Sequence, residues 1–378
     1  MRITTDKLFE LMVALLLKKN GYRVGVPAGK YLNGRGGKHQ IDSLAIYPFS
    51  APFVFPTRLI AEAKLYDPNK SNNKVGISIV RNLHSTLIDL EQTLPRDRNL
   101  RLDENWDEET TCNYQGGIFS TAEFSKDAFE YANAYSIDTV CLENQVKGIS
   151  LFKIVSDIQE CIEECKHCCP PFHHCLEFHH EHFRRLFHPK YYEELHCVGN
   201  YSELTSEGKS LFFKLLEFII EFYPPEHPCP IPCHESIMHL KENFFSQRLA
   251  SLEGNVLVLH FPGDDFNRLR SSVARKFMNR IETARDPFYP PPESSPGEED
   301  FPRDIPPSPL DPVSFEGYPS ENEEGPKKVE FFLTVGKEQI KTETKMSNSI
   351  YEYLISRDKP RRLVIPVDYG CFFTGVIK

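Results

Sequence analysis

Two short apolar stretches decide the fold, QIDSLAI at residues 40–46 and LIAEAKL at residues 59–65. Both predict buried strands, because apolar residues dominate runs of strand length. Side chains alternate between the two faces of a strand, so Glu62 and Lys64 point the same way, while the alanine between them points the other way. Asp42, at the start of the neighbouring strand, can supply a second carboxylate beside them.

These charged side chains predict a metal site. A carboxylate and an ammonium on one face of an apolar strand are costly to bury without partners or a metal. The carboxylates of Asp42 and Glu62 beside Lys64 suit a hard cation such as Mg²⁺, with Mn²⁺ as a substitute. A metal so placed can activate water against a phosphodiester. The alternative is that both acids are exposed edge residues that only pair with Lys64.

Glu10 and Gln40 are further candidates at this site. Glu10 lies in an apolar helix that residues 4–6 can cap, and its carboxylate either joins the metal site or simply favours the helix dipole. Gln40 lies two residues before Asp42 and therefore on the same face of the predicted strand. Its amide either holds a water or a phosphate oxygen or is plain polar surface. The glycine-rich residues 34–37 predict a flexible turn nearby.

The order of these segments resembles the PD-(D/E)XK nuclease superfamily, and most closely its Mrr-like restriction endonuclease branch. Within residues 1–145, the likeness rests on the helix containing Glu10, the glycine-rich approach to Asp42, the Glu62–Lys64 strand and a strand–helix–strand unit near residues 117–140. The resemblance implies an α/β fold with a restriction-endonuclease-like central mixed sheet flanked by helices.

The resemblance also implies an activity and the roles of the site residues. Asp42 and Glu62 would bind Mg²⁺, Lys64 would position or deprotonate the attacking water, and Glu10 would support the site. The expected activity is DNA endonuclease action in restriction or anti-phage defence, by a homo-oligomer or with a partner defence protein. The alternative is a non-catalytic nucleic-acid-binding or assembly subunit that keeps the fold. The clustered acids argue against that alternative, because a pure binder does not need them.

Charge is distributed unevenly along the chain of 378 residues, whose formal net charge is −10. Residues 1–85 contain 13 Lys and Arg against 5 Asp and Glu, which gives +8 and leaves −18 for the remainder. The basic segment suits a phosphate backbone, or it is only a solvated face. No apolar run approaches the ~18 residues of a membrane span. We therefore expect a cytoplasmic protein without a membrane partner, with its cysteines reduced.

Composition predicts three regions. They are a nuclease-like domain at residues 1–147, a helical Cys/His-rich region at 148–250, and an α+β C-terminal domain at 251–378 with a disordered proline-rich, acidic insertion at 286–326. The Cys/His-rich region predicts either a structural Zn²⁺ site or thiols that pack as small hydrophobic groups. The candidate zinc ligands are Cys161, Cys165, Cys168 and His173.

Apolar spacing predicts the individual elements. In the first region we expect an amphipathic helix over residues 77–90 and strands at 22–26, 40–47 and 58–66. In the C-terminal region we expect helices at 266–281 and 347–355 and strands at 255–261, 329–335, 362–367 and 371–377.

Overall fold

The computed structural model describes residues 2–25, 30–46, 57–67, 74–92, 113–142, 145–146, 149–164, 190, 195, 198–222, 231–245, 247–252, 255–260, 313–319, 327–335, 338–346, 361–367 and 371–377. The chain divides into two compact units, Met1–Leu259 and His260–Lys378. The predicted region boundaries after residues 147 and 250 stay predictions.

The described elements up to residue 260 are a mixture of helices and strands. In chain order they are α1 (Thr5–Lys19), β1 (Arg23–Val24), β2 (Lys30–Asn33), β3 (Lys38–Ile41), β4 (Ser43–Ile46), β5 (Thr57–Lys64), α2 (Ile77–Glu91), β6 (Asn113–Ser120), α3 (Lys126–Ala134), β7 (Asp138–Cys141), β8 (Gln145–Val146), β9 (Ile149–Ser150), α4 (Leu151–Glu164), α5 (Ser206–Phe222), α6 (Ile231–His239), β10 (Gln247–Leu252) and β11 (Asn255–His260). A 3-10 turn at Tyr201–Glu203 precedes α5, and a π-helical turn at Leu240–Phe244 follows α6.

A five-stranded mixed sheet organises the first unit, in the order β1-β4-β5-β6-β7. Strand β4 is antiparallel to β1 and β5, whereas β6 is parallel to β5 and β7. The parallel connections run through helices, as parallel strands require. The predicted α/β architecture, a mixed sheet flanked by helices, is therefore confirmed.

The prediction of one continuous strand over residues 40–47 was wrong at Asp42. Strand β3 ends at Ile41 and pairs with β2 in a separate two-stranded sheet, while β4 begins at Ser43 in the main sheet. Ser43 lies opposite Ala61, so a continued ladder would place Ile41 opposite Ala63. Instead, the Ala63 backbone N–H donates to Asp42 Oδ2 at 2.9 Å, and the side chain replaces the ladder partner.

Helix α1 is buried from Leu8 through Leu17, without an exposed residue in that span. On one side it packs on β4 and β5, and the same apolar cluster includes Ile154 of α4 and Phe212 of α5. A helix that is apolar all round belongs in an interior. This helix therefore forms the centre of the first unit, between the sheet and a layer of helices.

The opposite face of the sheet is covered by α2 and α3. Helix α2 buries the apolar side chains that the sequence spacing predicts, and these pack with Ile60 of β5 and Ile118 of β6. The buried residues of α2 are Val80, Leu83, Leu87 and Leu90. From α3, Ala128 and Ala132 complete this second cluster.

Both ends of α1 are fixed by side chains. Thr4 Oγ1 accepts a hydrogen bond from the Lys7 backbone N–H at 3.2 Å, which confirms the predicted cap. At the other end, the Asn20 amide donates to the Leu16 carbonyl at 2.8 Å and accepts from the Leu249 backbone N–H at 2.9 Å. The end of α1 is thus joined to β10, far along the chain.

The second unit contains the strands β12 (Val313–Pro319), β13 (Lys327–Val335), β14 (Glu338–Met346), β15 (Arg361–Val367) and β16 (Cys371–Ile377). Their order is β15-β16-β12-β13-β14, with β12 and β16 parallel and the other neighbours antiparallel.

Strand β12 lies inside the stretch 286–326, for which composition predicted disorder, and that prediction was wrong for Val313–Pro319. The local sequence VSFEGYP alternates apolar and polar residues, a strand signal that the surrounding prolines and acids outweighed. The predicted helices at 266–281 and 347–355 lie outside the described residues. Within the described part of the chain, no helix is both long and apolar enough to cross a membrane.

Asp138 is a buried carboxylate on β7, only 6 % exposed. The Gln115 amide donates to its Oδ2 at 2.6 Å, whereas its Oδ1 has no hydrogen-bond partner among the described residues. Burial raises the pKa of Asp138 to about 7, against the opposing effect of the Gln115 hydrogen bond. The folded state therefore holds a proton that the unfolded chain has already released at pH 6.

We expect Asp138→Asn to remove part of the pH dependence of stability. Because the pKa of the folded state is raised, stability is complete below about pH 4 and is lost as pH rises through about 7. At pH 8 the variant should exceed the wild type by on the order of 1–4 kcal/mol in urea unfolding, and at pH 4 the two should coincide. The exposed Glu130→Gln is the matched control and should follow the wild type. A variant less stable at pH 8 would contradict this account.

Candidate active site

Three carboxylates and two lysines meet at the end of β5. Lys64 Nζ lies 3.8 Å from Asp42 Oδ2 and forms an ion pair with Glu62. On α1, Lys7 forms an ion pair with Glu10. The charge of Asp42 raises the pKa of Glu10 and the charge of Lys64 lowers it. The structure therefore brings together four of the five predicted residues: Glu10, Asp42, Glu62 and Lys64.

The alternation along β5 sets up this arrangement as predicted. Ala61 and Ala63 pack in the apolar cluster around α1, while Glu62 and Lys64 pair with each other. The side chains of this pair are 26 % and 31 % exposed, so the cluster is reached from solvent while remaining largely desolvated.

Hydrogen bonds between side chains and backbone groups hold the segments that supply the acids. The Ala63 N–H donates to Asp42, and the Ser43 hydroxyl donates to the Glu10 carbonyl at 3.4 Å. These two contacts join β5, the bend before β4, and α1. The chain after Lys64 is fixed in turn, because the Thr121 N–H donates to the Lys64 carbonyl at 3.2 Å. The cluster lies at the carboxyl ends of the parallel strands β5 and β6, where open α/β sheets bind ligands.

The negative charge of Asp42 acts on both other acids of the cluster. Burial, followed by the charge of Asp42, raises the pKa of Glu10 to about 7, while the lysines oppose the shift. Burial and then Asp42 also raise the pKa of Glu62. Burial alone would lower the pKa of Lys64, but Glu62, Asp42 and Glu10 together raise it. The acids therefore favour any added positive charge, whether a proton or a metal ion.

Gln40 is placed elsewhere. It is exposed on β3, opposite Tyr31 in the β2–β3 hairpin. The expectation that it shares a strand face with Asp42 fails, because the strand breaks at Asp42 and the alternation does not continue through the bend. Sequence reasoning also missed Lys7, although its spacing of three helical residues from Glu10 was a usable signal.

The donor set suits a hard cation by its chemistry, since Glu10, Asp42 and Glu62 offer only oxygen ligands. Within the described part of the chain, no three or more His, Cys, Asp or Glu side chains are arranged ready to hold a metal ion. Glu10 and Glu62 instead form ion pairs with Lys7 and Lys64. A metal ion that displaced the ammonium group of Lys7 or Lys64 would contact Glu10 or Glu62, whose pKa values are raised.

Comparison of the chain with protein-family models, curated proteins and solved structures gave no match. The resemblance to the nuclease superfamily therefore stays a prediction from the sequence.

The predicted zinc site falls mostly outside the described residues. Cys165, Cys168 and His173 are not among them, and Cys161 lies in α4 without a described side chain. The zinc prediction stays a prediction.

We expect Glu10→Gln to stabilise the protein at pH 8 and to be near neutral at pH 4. The pKa of Glu10 is raised in the folded state, so its contribution to stability is present below about pH 4.5 and is lost as pH rises through about 7. The gain at pH 8, measured by urea unfolding, should be on the order of 1–3 kcal/mol.

The control is Glu130→Gln, which removes an exposed ion pair with Lys126 and should change stability by less than about 0.5 kcal/mol. A loss of stability in Glu10→Gln at pH 8 would mean that the Lys7–Glu10 pair is a structural interaction.

Proposed function

We propose that this chain is a Mg²⁺-dependent endonuclease that hydrolyses DNA phosphodiester bonds on a restriction-endonuclease-like fold. The observation that carries the proposal is the cluster of Glu10, Asp42 and Glu62 around Lys64 at the carboxyl end of β5. Acids with raised pKa values beside a specific cation cluster at functional sites, and both Glu10 and Glu62 have raised pKa values here. The sheet order and the basic first 85 residues support the same reading.

Asp42 and Glu62 are the residues that would hold Mg²⁺. When bound, Mg²⁺ supplies a concentrated positive charge that polarises a phosphodiester and favours the ionisation of water. Lys64 keeps its proton at neutral pH, because its pKa is raised. Its ammonium group therefore stabilises negative charge that develops on the phosphate, and it is a poor general base. Glu10, with a pKa of about 7, can accept a proton at its carboxylate near neutral pH.

A second function has one observation in its favour. The two lysines already neutralise two of the three acids, since Lys7 pairs with Glu10 and Lys64 pairs with Glu62. This balance is what a non-catalytic nucleic-acid-binding or assembly subunit would retain from a nuclease fold. The defence role, the cytoplasmic location and the oligomeric state stay predictions in either case.

The test is plasmid cleavage by the full-length chain with and without Mg²⁺. We expect cleavage only with the metal, and losses of about 10²-fold or more for Asp42→Asn, Glu62→Gln and Lys64→Gln. These near-isosteric changes should leave the circular dichroism spectrum unchanged.

The matched control is Glu123→Gln, which removes an exposed carboxylate that pairs with Lys74. This variant should cut DNA at the wild-type rate. Wild-type cleavage by Glu62→Gln would refute the assignment of the site. A folded wild type that binds DNA but never cuts it with Mg²⁺ or Mn²⁺ would favour the binding subunit.

A further inference from the structure

The β2–β3 hairpin, which directly precedes Asp42 in the chain, presents a polar face with an aromatic ring. Tyr31 lies opposite Gln40 and Asn33 lies opposite Lys38, so these four side chains share one face, here called the hairpin outer face. Tyr31 is 61 % exposed, and Lys38 and Gln40 are also exposed. Arg35, in the connecting turn, is exposed as well.

The opposite face of the hairpin anchors it to the first unit. Leu32 and Ile41 are buried in the cluster beneath α2, and His39 Nε2 lies 2.6 Å from Asp89 Oδ2. The Gly36 backbone N–H donates to Asp89 Oδ1 at 2.7 Å. A Cβ on Gly34 would lie 1.9 Å from Asp89 Oδ2, so glycine is needed for this close approach. The turn that the sequence predicts to be flexible thus makes several contacts with Asp89 of α2.

Charge and composition indicate the partner of the outer face. The outer face and its connecting turn carry two cations, Lys38 and Arg35, and residues 30–40 contain no Asp or Glu, in a chain whose net charge is −10. The inner face of the hairpin contributes Leu32 and Ile41 to the core, whereas the Tyr31 ring is exposed and does not pack in the core. Cations interleaved with an aromatic ring and amides match a nucleic-acid strand, because phosphates take the cations and bases stack on the ring. An acidic protein surface would use the cations and leave the ring without a partner.

We propose that the hairpin outer face, together with Arg35, binds the nucleic-acid strand that the acidic cluster cuts. This assignment rests on the proposed endonuclease function and adds a substrate-binding surface to it. Arg35 and Lys38 contact phosphates, Tyr31 stacks on a base, and Gln40 offers its amide to the same strand. Gln40 lies two residues before Asp42, so this surface leads along the chain directly into the acidic cluster.

The experiment measures binding of the full-length chain to fluorescent single-stranded and duplex DNA of about 20 nucleotides, in EDTA so that no cleavage occurs. We expect Lys38→Ala to lower the slope of log affinity against log salt by about 0.7–0.9, the value for one lost phosphate contact. Tyr31→Ala should weaken single-strand binding about fivefold or more with an unchanged slope, because stacking carries no counterion release.

Matched controls remove similar groups from another surface of the same unit. Lys126 is 85 % exposed and Tyr135 is 50 % exposed, and both belong to the α3 region. Lys126→Ala and Tyr135→Ala should bind DNA like the wild type. Hairpin variants that bind as tightly as these controls would overturn the proposal. Poly-glutamate that competes as well as DNA, with the same loss in Tyr31→Ala, would also overturn it and indicate an acidic protein partner.

Plasmid cleavage in Mg²⁺ separates this proposal from the proposed function. If the wild type cuts, and hairpin variants bind and cut equally well, the endonuclease stands and the hairpin assignment falls. If the wild type binds DNA through the hairpin and never cuts, the hairpin assignment stands and the endonuclease falls.

Discussion

The burial of α1 on every side is the constraint on which the rest of the first unit depends. Each large apolar side chain between Leu8 and Leu17 contributes about 1.5–3 kcal/mol by leaving water, so the helix tolerates one desolvated carboxylate in its length. That carboxylate is Glu10, and its position on α1 carries it to the end of β5. The acidic cluster is therefore a consequence of how the centre of the unit packs.

Asp42 connects this core to the surface. Its carboxylate accepts a hydrogen bond from the backbone N–H of Ala63, and the pairing of β4 with β5 ends at Ser43 and Ala61. The chain before it is released into the β2–β3 hairpin, which turns toward α2 instead of extending the main sheet. One side chain thus places an acid in the cluster and separates two sheets.

Local patterns predicted the parts of the fold that depend on neighbouring residues. The two faces of β5, the Thr4 cap and the buried stripe of α2 follow from spacing alone, and the structure has them. The break at Asp42 was hidden, because residues 40–46 are uniformly strand-like and the contact that ends the strand comes from Ala63. The contacts of the glycine turn were hidden for the same reason, since Asp89 belongs to α2, far along the chain. Sequence reasoning named the three acids that the structure brings together, and it missed the lysine that pairs with Glu10.

The link between Asn20 and β10 has a consequence for synthesis. Asn20, at the end of α1, accepts a hydrogen bond from the backbone of Leu249, which is synthesised much later. The helices that pack on the side of α1 away from the sheet also come later in the chain. Until α4 to α6 have been synthesised, α1 can pack on the sheet but not on these helices. Its remaining apolar surface is then exposed to other nascent chains. The late helices therefore cover the apolar surface of α1, and its burial is complete only when about 250 residues of the chain are present.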